Sequence, residues 1–289
     1  MNAEYLNYNR EVNPAEVDAL ISDIKKRVSK EKSESDLRTC LSLIDLTSLN
    51  STDPITKGGS MAKKVSEFSA HYPNIDNVAA ICVYPPLVKA VRDNLTDKKV
   101  QIAAVGAGFP SSQTFIEVKV DECVRTVKAG ADEIDIVISL GTFLSGDHQV
   151  VFDEIATIKK SLGKAHLKVI LETGALPDYE AIRLASLISM EAGADFIKTS
   201  TGKMEPAATL EAAVVMCMAI KDFYAKHGKK IGFKPAGGMV SPEDALGYLL
   251  VVRRILGEEW INPSLFRLGA SRLANNLLTE ITGKQVNYF

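Results

Sequence analysis

Apolar and polar positions along the chain fall into a repeating order. Short oily runs of strand length occupy residues 43–46, 78–84, 100–105, 133–138, 168–172, 196–199, 231–234 and 266–269. None alternates cleanly between apolar and polar, which predicts parallel strands buried on both faces. Helical stretches lie between them. Asp147, Asp178, Thr209 and Ser241 stand where N-caps are needed, with Pro242 at the first helical position after Ser241. Gly130, Gly163, Gly193, Gly228 and Gly257 stand where helices should stop. Eight strands alternating with helices predict an α/β fold, a closed (β/α)8 TIM barrel.

Residues 1–40 read as a short helical N-terminal extension packed on the barrel, and 41–289 as the barrel catalytic domain. In the extension, Val17, Leu20, Ile21, Ile24 and Val28 recur at helical spacing, which predicts a helix from Pro14 to about Lys30. A second, shorter helix starts at Ser33, and the two are expected to cover one end of the barrel. An open doubly wound sheet would require a glycine-rich turn after its first strand. Thr47-Ser48-Leu49-Asn50 follows instead, and Gly106-Ala107-Gly108 has Ser111 where a third glycine belongs.

Composition narrows the function classes. The chain has 289 residues, 46% hydrophobic and 24% charged, as in ordinary soluble domains. A net charge of -2 gives no case for nucleic acid or an anionic membrane. Cys40, Cys82, Cys123 and Cys217 show no CxxC spacing, and the four histidines form no metal-ligand pattern with them. No metal and no cofactor are expected, and the thiols are expected reduced and mostly buried. No signal peptide or membrane span is read from the sequence, so a cytoplasmic location is expected.

The candidate chemistry lies in a repeated phrase. Ala129-Gly130-Ala131-Asp132-Glu133-Ile134-Asp135 matches Ala192-Gly193-Ala194-Asp195-Phe196-Ile197-Lys198, so equivalent strand positions hold a carboxylate and an amine. Lys234 ends a similar strand. Polar residues expected at the C-terminal strand ends, where barrels gather their catalytic groups, are Asp45, Cys82, Asp135, Glu172, Lys198, Lys234 and Arg267. Asp135, Lys198 and Lys234 are expected to converge. One reading is an internal salt-bridge network that closes the barrel. The other is an activated amine: burial and a second cation disfavour a charged lysine, and a neutral amine forms a Schiff base with an aldehyde or ketone. Asp135 would then move protons through a water.

Three small-residue loops follow the sixth, seventh and eighth strands: Thr199-Ser200-Thr201-Gly202-Lys203, Pro235-Ala236-Gly237-Gly238 and Gly269-Ala270-Ser271. Together they predict a phosphate cup built on backbone N–H groups at the start of the last helix. Gly202-Lys203 is not a Walker motif, since Ile197 stands where the earlier glycine is needed and Met204 follows the lysine.

From about Leu41 to Leu278 the chain resembles the deoxyribose-phosphate aldolases. The resemblance rests on Ile44-Asp45-Leu46-Thr47, Ile81-Cys82-Val83-Tyr84-Pro85, Ala131-Asp132-Glu133-Ile134-Asp135, Glu172-Thr173-Gly174, Phe196-Ile197-Lys198-Thr199-Ser200-Thr201-Gly202-Lys203 and Gly232-Phe233-Lys234-Pro235-Ala236-Gly237-Gly238. It implies a metal-free class I aldolase that reversibly cleaves 2-deoxy-D-ribose 5-phosphate to D-glyceraldehyde 3-phosphate and acetaldehyde. By motif, Lys198 resembles the Schiff-base lysine, Lys234 its pKa-lowering neighbour and Asp135 the proton relay. Asp45, Cys82, Thr201 and Lys203 match the substrate-binding set, and Gly202, Gly237, Gly238, Gly269 and Ser271 the phosphate-binding set. Arg272 departs from a serine found in some members and is expected to face solvent. Tyr288 is compared with a C-terminal tyrosine that reaches the site in some members, against the plainer expectation of a frayed end. Another Schiff-base lyase of transaldolase type, or a non-catalytic phosphosugar-binding barrel, are the competing readings. A homodimer through exterior helices is expected by analogy with the fold.

Overall fold

The computed structural model describes residues 4–28, 30 and 32–289. After a 3-10 turn at Glu4–Asn7, two helices, α1 (Pro14–Val28) and α2 (Glu34–Ser42), lead into β1 (Ile44–Thr47). The alternation then runs α3 (Ile55–His71), β2 (Ala80–Val83), α4 (Val88–Asn94), β3 (Gln101–Val105), α5 (Ile116–Lys128) and β4 (Glu133–Val137). It continues through α6 (Leu140–Leu144), α7 (His148–Ser161), β5 (His166–Ile170), α8 (Tyr179–Glu191), β6 (Phe196–Lys198) and α9 (Leu210–His227). It ends with β7 (Gly232–Lys234), α10 (Pro242–Ile255), β8 (Leu268–Ala270) and α11 (Leu273–Thr282).

From β1 to β7 each strand pairs in parallel with the next, and β8 pairs with β1. The seam between β7 and β8 is closed by backbone bonds. Phe233 N–H donates to Leu265 O at 2.9 Å, Arg267 N–H to Phe233 O at 3.1 Å and Gly269 N–H to Pro235 O at 2.9 Å. The fold is a (β/α)8 barrel. No helix among the described residues is long and apolar enough to cross a membrane.

Two expected strands are displaced. The fifth ends at Ile170 rather than Glu172, because Glu172 takes a left-handed backbone, φ 54° and ψ 59°, that no strand can continue. The eighth begins at Leu268, although Phe266 already bridges to Phe233 across the seam. A deeper difference concerns the strand pattern. The strands do alternate: Ile81, Val83, Ile134, Ile136, Leu167, Val169 and Ile197 belong to the oily core, while Asp45, Glu133, Asp135, Lys168, Lys198 and Lys234 occupy the opposite face inside the barrel. Both faces are buried, so the alternation is apolar against charged or small, not apolar against wet.

The repeated phrase is a joint between helix and strand. In one copy the Asp132 carboxylate accepts from Ile102 N–H at 2.9 Å and Arg92 at 2.7 Å. In the other, Asp195 accepts from Leu167 N–H at 2.8 Å and Lys159 at 2.6 Å. Each aspartate thus ties its own strand to the preceding one and fixes where Asp135 and Lys198 emerge. Asp178, Thr209 and Ser241 cap their helices through side-chain oxygens, the last in a capping box with Asp244; Asp147 holds the cap position without such a bond.

In the N-terminal region α1 buries Val17, Ile21 and Ile24 and packs on α9 and α10, while α2 packs on α10 and α11. Its expected run to Lys30 crosses Ser29, which lies outside the described residues, as do 1–3 and 31 of the expected extension. The Tyr8 hydroxyl donates to Glu191 at 2.9 Å, and Arg183 donates to Asn9 O at 2.8 Å, which fastens this segment to α8.

Candidate active site

Inward side chains meet in one buried charge cluster. Lys198 Nζ donates to Asp135 Oδ2 at 2.8 Å, and Lys234 Nζ donates to the same oxygen at 2.7 Å. Lys198 and Lys234 are paired in register on adjacent strands, so the two amines share one level of the barrel. Lys234 also lies 2.5 Å from Asp45 Oδ2. Arg267 reaches Asp45 at 2.6 Å and Glu133 at 2.8 Å. Lys168 pairs with Glu133 and sits 3.4 Å from Asp135 Oδ1. The cluster holds three carboxylates, Asp45, Glu133 and Asp135, against four cations, Lys168, Lys198, Lys234 and Arg267.

Burial and pairing oppose each other here, and pairing wins. Burial alone would raise the Asp135 pKa, but Lys198, Lys234 and Lys168 hold it well below the usual carboxylate range. Asp45 is lowered in the same way, by Lys234 and Arg267 against burial. Burial would lower Lys234, yet Asp135 and Asp45 push it above an ordinary lysine, so Lys234 is a fixed ammonium ion. Unlike Lys234, Lys198 has a single carboxylate partner and borders open space.

That space is a cavity of about 320 Å³ at the C-terminal mouth of the barrel. Lys198 forms part of its wall, with Thr47 from the end of β1 and Leu49 and Asn50 from the loop that follows. Thr201, Gly202 and Lys203 come from the loop after β6, Gly237 and Gly238 from the loop after β7, Gly269 from β8, and Ser271 and Arg272 from the passage into α11. Gly237 has φ +84°, and a Cβ there would stand 2.8 Å from the Ala207 Cβ, so these two loops can close together only around a glycine. The loop after β6 is braced from below. Glu172 is 2% exposed and accepts from Thr201 N–H at 3.1 Å and from the Thr201 hydroxyl at 2.5 Å. Lys203 Nζ donates to Leu49 O at 2.5 Å, which bridges the cavity rim.

Of the expected residues, Asp135, Lys198 and Lys234 are brought together, and Thr201, Lys203, Gly202, Gly237, Gly238, Gly269 and Ser271 line the cavity. Asp45 and Cys82 do not. Asp45 lies beneath Lys234, and Cys82 is fully buried inside the barrel with Ala80 and Ala103; burial raises its thiol pKa despite Lys234. Arg267 precedes β8 rather than ending it, and so lies deep in the cluster. Arg272, expected to face solvent, is exposed, at the edge of the cavity. Tyr288 is not on that wall: its hydroxyl donates to Lys64 O at 2.6 Å and its ring packs edge-on against Phe68. Lys168 and Glu133 were not singled out by the sequence reading, although the signal was the same one that marks Asp135, a charge within an oily strand. All four cysteines are buried and unbridged.

Comparison with known proteins places this geometry in context. A family model described as DeoC/LacD family aldolase matches residues 36–250. The chain is 40% identical over 281 residues to the deoxyribose-phosphate aldolase of Homo sapiens, covering 91% of this chain and 87% of that one. It is 38% identical over 285 residues to the deoxyribose-phosphate aldolase of Mus musculus, with the same coverage, 91% and 87%. Among solved structures, the tetrameric deoxyribose phosphate aldolase of Aeropyrum pernix is similar with a TM-score of 0.69 at 22% identity, over 90% of this chain and 96% of that one. The last likeness speaks to the fold.

Proposed function

Because the chain belongs to the DeoC/LacD family of aldolases, we propose that it reversibly cleaves 2-deoxy-D-ribose 5-phosphate to D-glyceraldehyde 3-phosphate and acetaldehyde through a Schiff base on Lys198. The observation that carries this reading is the place of Lys198. It is the one amine of the buried cluster that reaches the cavity wall, 2.8 Å from Asp135 and beside the fixed cation Lys234. Three of the four cations suffice to balance the three carboxylates. Of the four, Lys198 is the one that borders the cavity, where a carbonyl substrate can reach its nitrogen.

The free amine adds to C1 of the open-chain sugar, and loss of water gives the iminium. The C3 hydroxyl then gives up its proton, the C2–C3 bond breaks, and its electron pair enters the iminium to leave a two-carbon enamine. Glyceraldehyde 3-phosphate departs. A proton returned to C2 and addition of water release acetaldehyde and restore the amine. Asp135, ionised in the free enzyme and bonded to the Lys198 nitrogen, serves as the relay through a water. The glycine-walled loops after β6 and β7 and the start of α11 hold the phosphate on backbone N–H groups.

Borohydride reduction with substrate present tests the reading. A mass increase on the peptide bearing Lys198 is expected. An adduct on Lys234 would reverse the two roles, and turnover with no adduct on either would remove the Schiff base altogether.

A further inference from the structure

The loop after β1 forms one side of the cavity mouth, and a carboxylate behind it holds its shape. Ser48 N–H donates to Cys82 O at 2.9 Å and carries the pairing of β1 with β2 one residue further. Past that point the loop is tied to Asp53. Asp53 Oδ2 accepts from the Ser48 hydroxyl at 2.7 Å and from Asn50 N–H at 3.0 Å, and Oδ1 accepts from the Asn50 side-chain amide at 3.3 Å. Asp53 N–H in turn donates to Asn50 O at 3.0 Å. Burial would raise the Asp53 pKa, but the bonds from Ser48 and Asn50 lower it below its ordinary value, so the carboxylate is ionised at neutral pH. Asp53 is not part of the cavity wall, whereas Leu49, between its two partners, is. With Ser48 and Asn50 fastened to one side chain, the Leu49 carbonyl has a fixed direction, and its oxygen accepts from Lys203 Nζ at 2.5 Å. An ammonium has three N–H donors, so two remain for a ligand in the cavity that Lys203 lines.

We propose that Asp53 is a positioning residue for substrate binding: by fixing Leu49 O, it holds the Lys203 ammonium at the cavity before the substrate arrives. The inference rests on the proposed aldolase reading and deepens it. Lys203 is an exposed residue on a loop, and a free lysine side chain there would lose rotamer freedom on meeting a ligand, which weakens affinity. A carbonyl that already orders the amine removes that loss. Asp53 does for the loop after β1 what Glu172 does for the loop after β6, and Lys203 joins the two braced loops across the rim.

The test compares the unmodified enzyme with Asp53→Ala and Asp53→Asn, each alone and combined with Lys203→Met, by steady-state kinetics on 2-deoxy-D-ribose 5-phosphate. Asp53→Ala should raise KM about fivefold while kcat changes by less than about twofold. Asparagine keeps an oxygen for the Ser48 hydroxyl and Asn50 N–H and loses only the bond from the Asn50 amide, so Asp53→Asn should bring KM back to within about twofold of the unmodified enzyme. In the Lys203→Met background, Asp53→Ala should raise KM no further, because both changes remove the same placed amine. A KM unchanged by Asp53→Ala, or the full rise repeated on top of Lys203→Met, would overturn the proposal. A second readout needs no turnover. Trace acetylation of the folded proteins, read by peptide mass, should modify Lys203 about threefold faster in Asp53→Ala than in the unmodified protein, relative to the exposed Lys164. Equal rates would mean that Asp53 does not place the amine. Should the unmodified enzyme leave the sugar phosphate intact, the aldolase reading fails, while the acetylation still decides whether Asp53 holds Lys203.

Discussion

On the floor of the cavity, three carboxylates and four cations are packed side chain against side chain, nearly all without solvent contact. On the rim, the charged side chains are Lys203 and Arg272, and much of the wall is glycine backbone. The floor is carried by strands, so its members are fixed by the register of the barrel. The rim is carried by loops, whose shape depends on a few contacts such as Glu172 with Thr201. The difference matches two tasks. A floor that must control protons needs groups held at fixed separations in a dry medium. A rim that must admit and release an anion needs donors without bulk. Damage to the floor should therefore appear in the chemical step and in stability, and damage to the rim in substrate affinity.

The largest effect is expected from Lys198→Leu. Loss of the amine removes the nucleophile itself, and activity should fall by roughly 10³-fold or more. Retention of substantial activity in a correctly folded Lys198→Leu protein would show that the floor does something other than covalent catalysis. Lys234→Met comes next and separates the two lysines. It leaves Asp45 and Asp135 short of a buried partner, which should cost about 3–5 kcal/mol of stability in denaturant unfolding. It also removes the cation beside Lys198, so the protein that remains folded should need a more alkaline pH for its best rate. A rate profile identical to that of the unmodified enzyme would assign Lys234 to structure alone.

The floor was more legible in the sequence than the rim, for a physical reason. A charge inside an oily parallel strand has few places to go, and Asp135, Lys198 and Lys234 could be read from that conflict alone. Lys168 and Glu133 carry the same signal but look like ordinary strand ends, because His166 and Asp132 beside them are polar too. Sequence order also places Arg267 at a strand end, whereas only the seam bonds with Phe233 show that it enters the barrel before β8 begins. On the rim, the glycines announce close approach but not which loops approach. That Gly237 meets Ala207, or that Lys203 reaches Leu49, depends on distances set by the closed barrel.

Titration sharpens the floor's side of the comparison. The pKa values of Asp45, Glu133 and Asp135 are lowered by folding, so their stabilising contribution is present above the unfolded carboxylate value of about 4 and is lost as pH falls through the folded values. Lys234 and Arg267 are raised, so theirs is present below the unfolded values and is lost only as pH rises through still higher ones. Stability should stay level across the neutral range and decline below about pH 4. Urea midpoints measured from pH 7 down to pH 2 would show this; a midpoint that does not move would mean that the cluster is also paired in the unfolded chain.

The smallest effect, and the one that isolates the rim, is expected from Glu172→Gln. Glu172 keeps a left-handed backbone at φ 54°, a conformation that costs a non-glycine residue about 1–2 kcal/mol. That cost persists because the carboxylate satisfies both the Thr201 N–H and the Thr201 hydroxyl and so sets the loop that carries Gly202 and Lys203. Glutamine preserves the shape but presents one oxygen and one NH2 group, so one of the two bonds must weaken. KM should rise by about threefold to tenfold, while the reduction trap on Lys198 still forms at saturating substrate. Glu172→Gly relaxes the backbone and removes both bonds, and its KM should rise further although its fold is less strained. If Glu172→Gly instead bound substrate as tightly as the unmodified enzyme, the loop after β6 would hold its shape without the brace, and the rim would be as rigidly built as the floor.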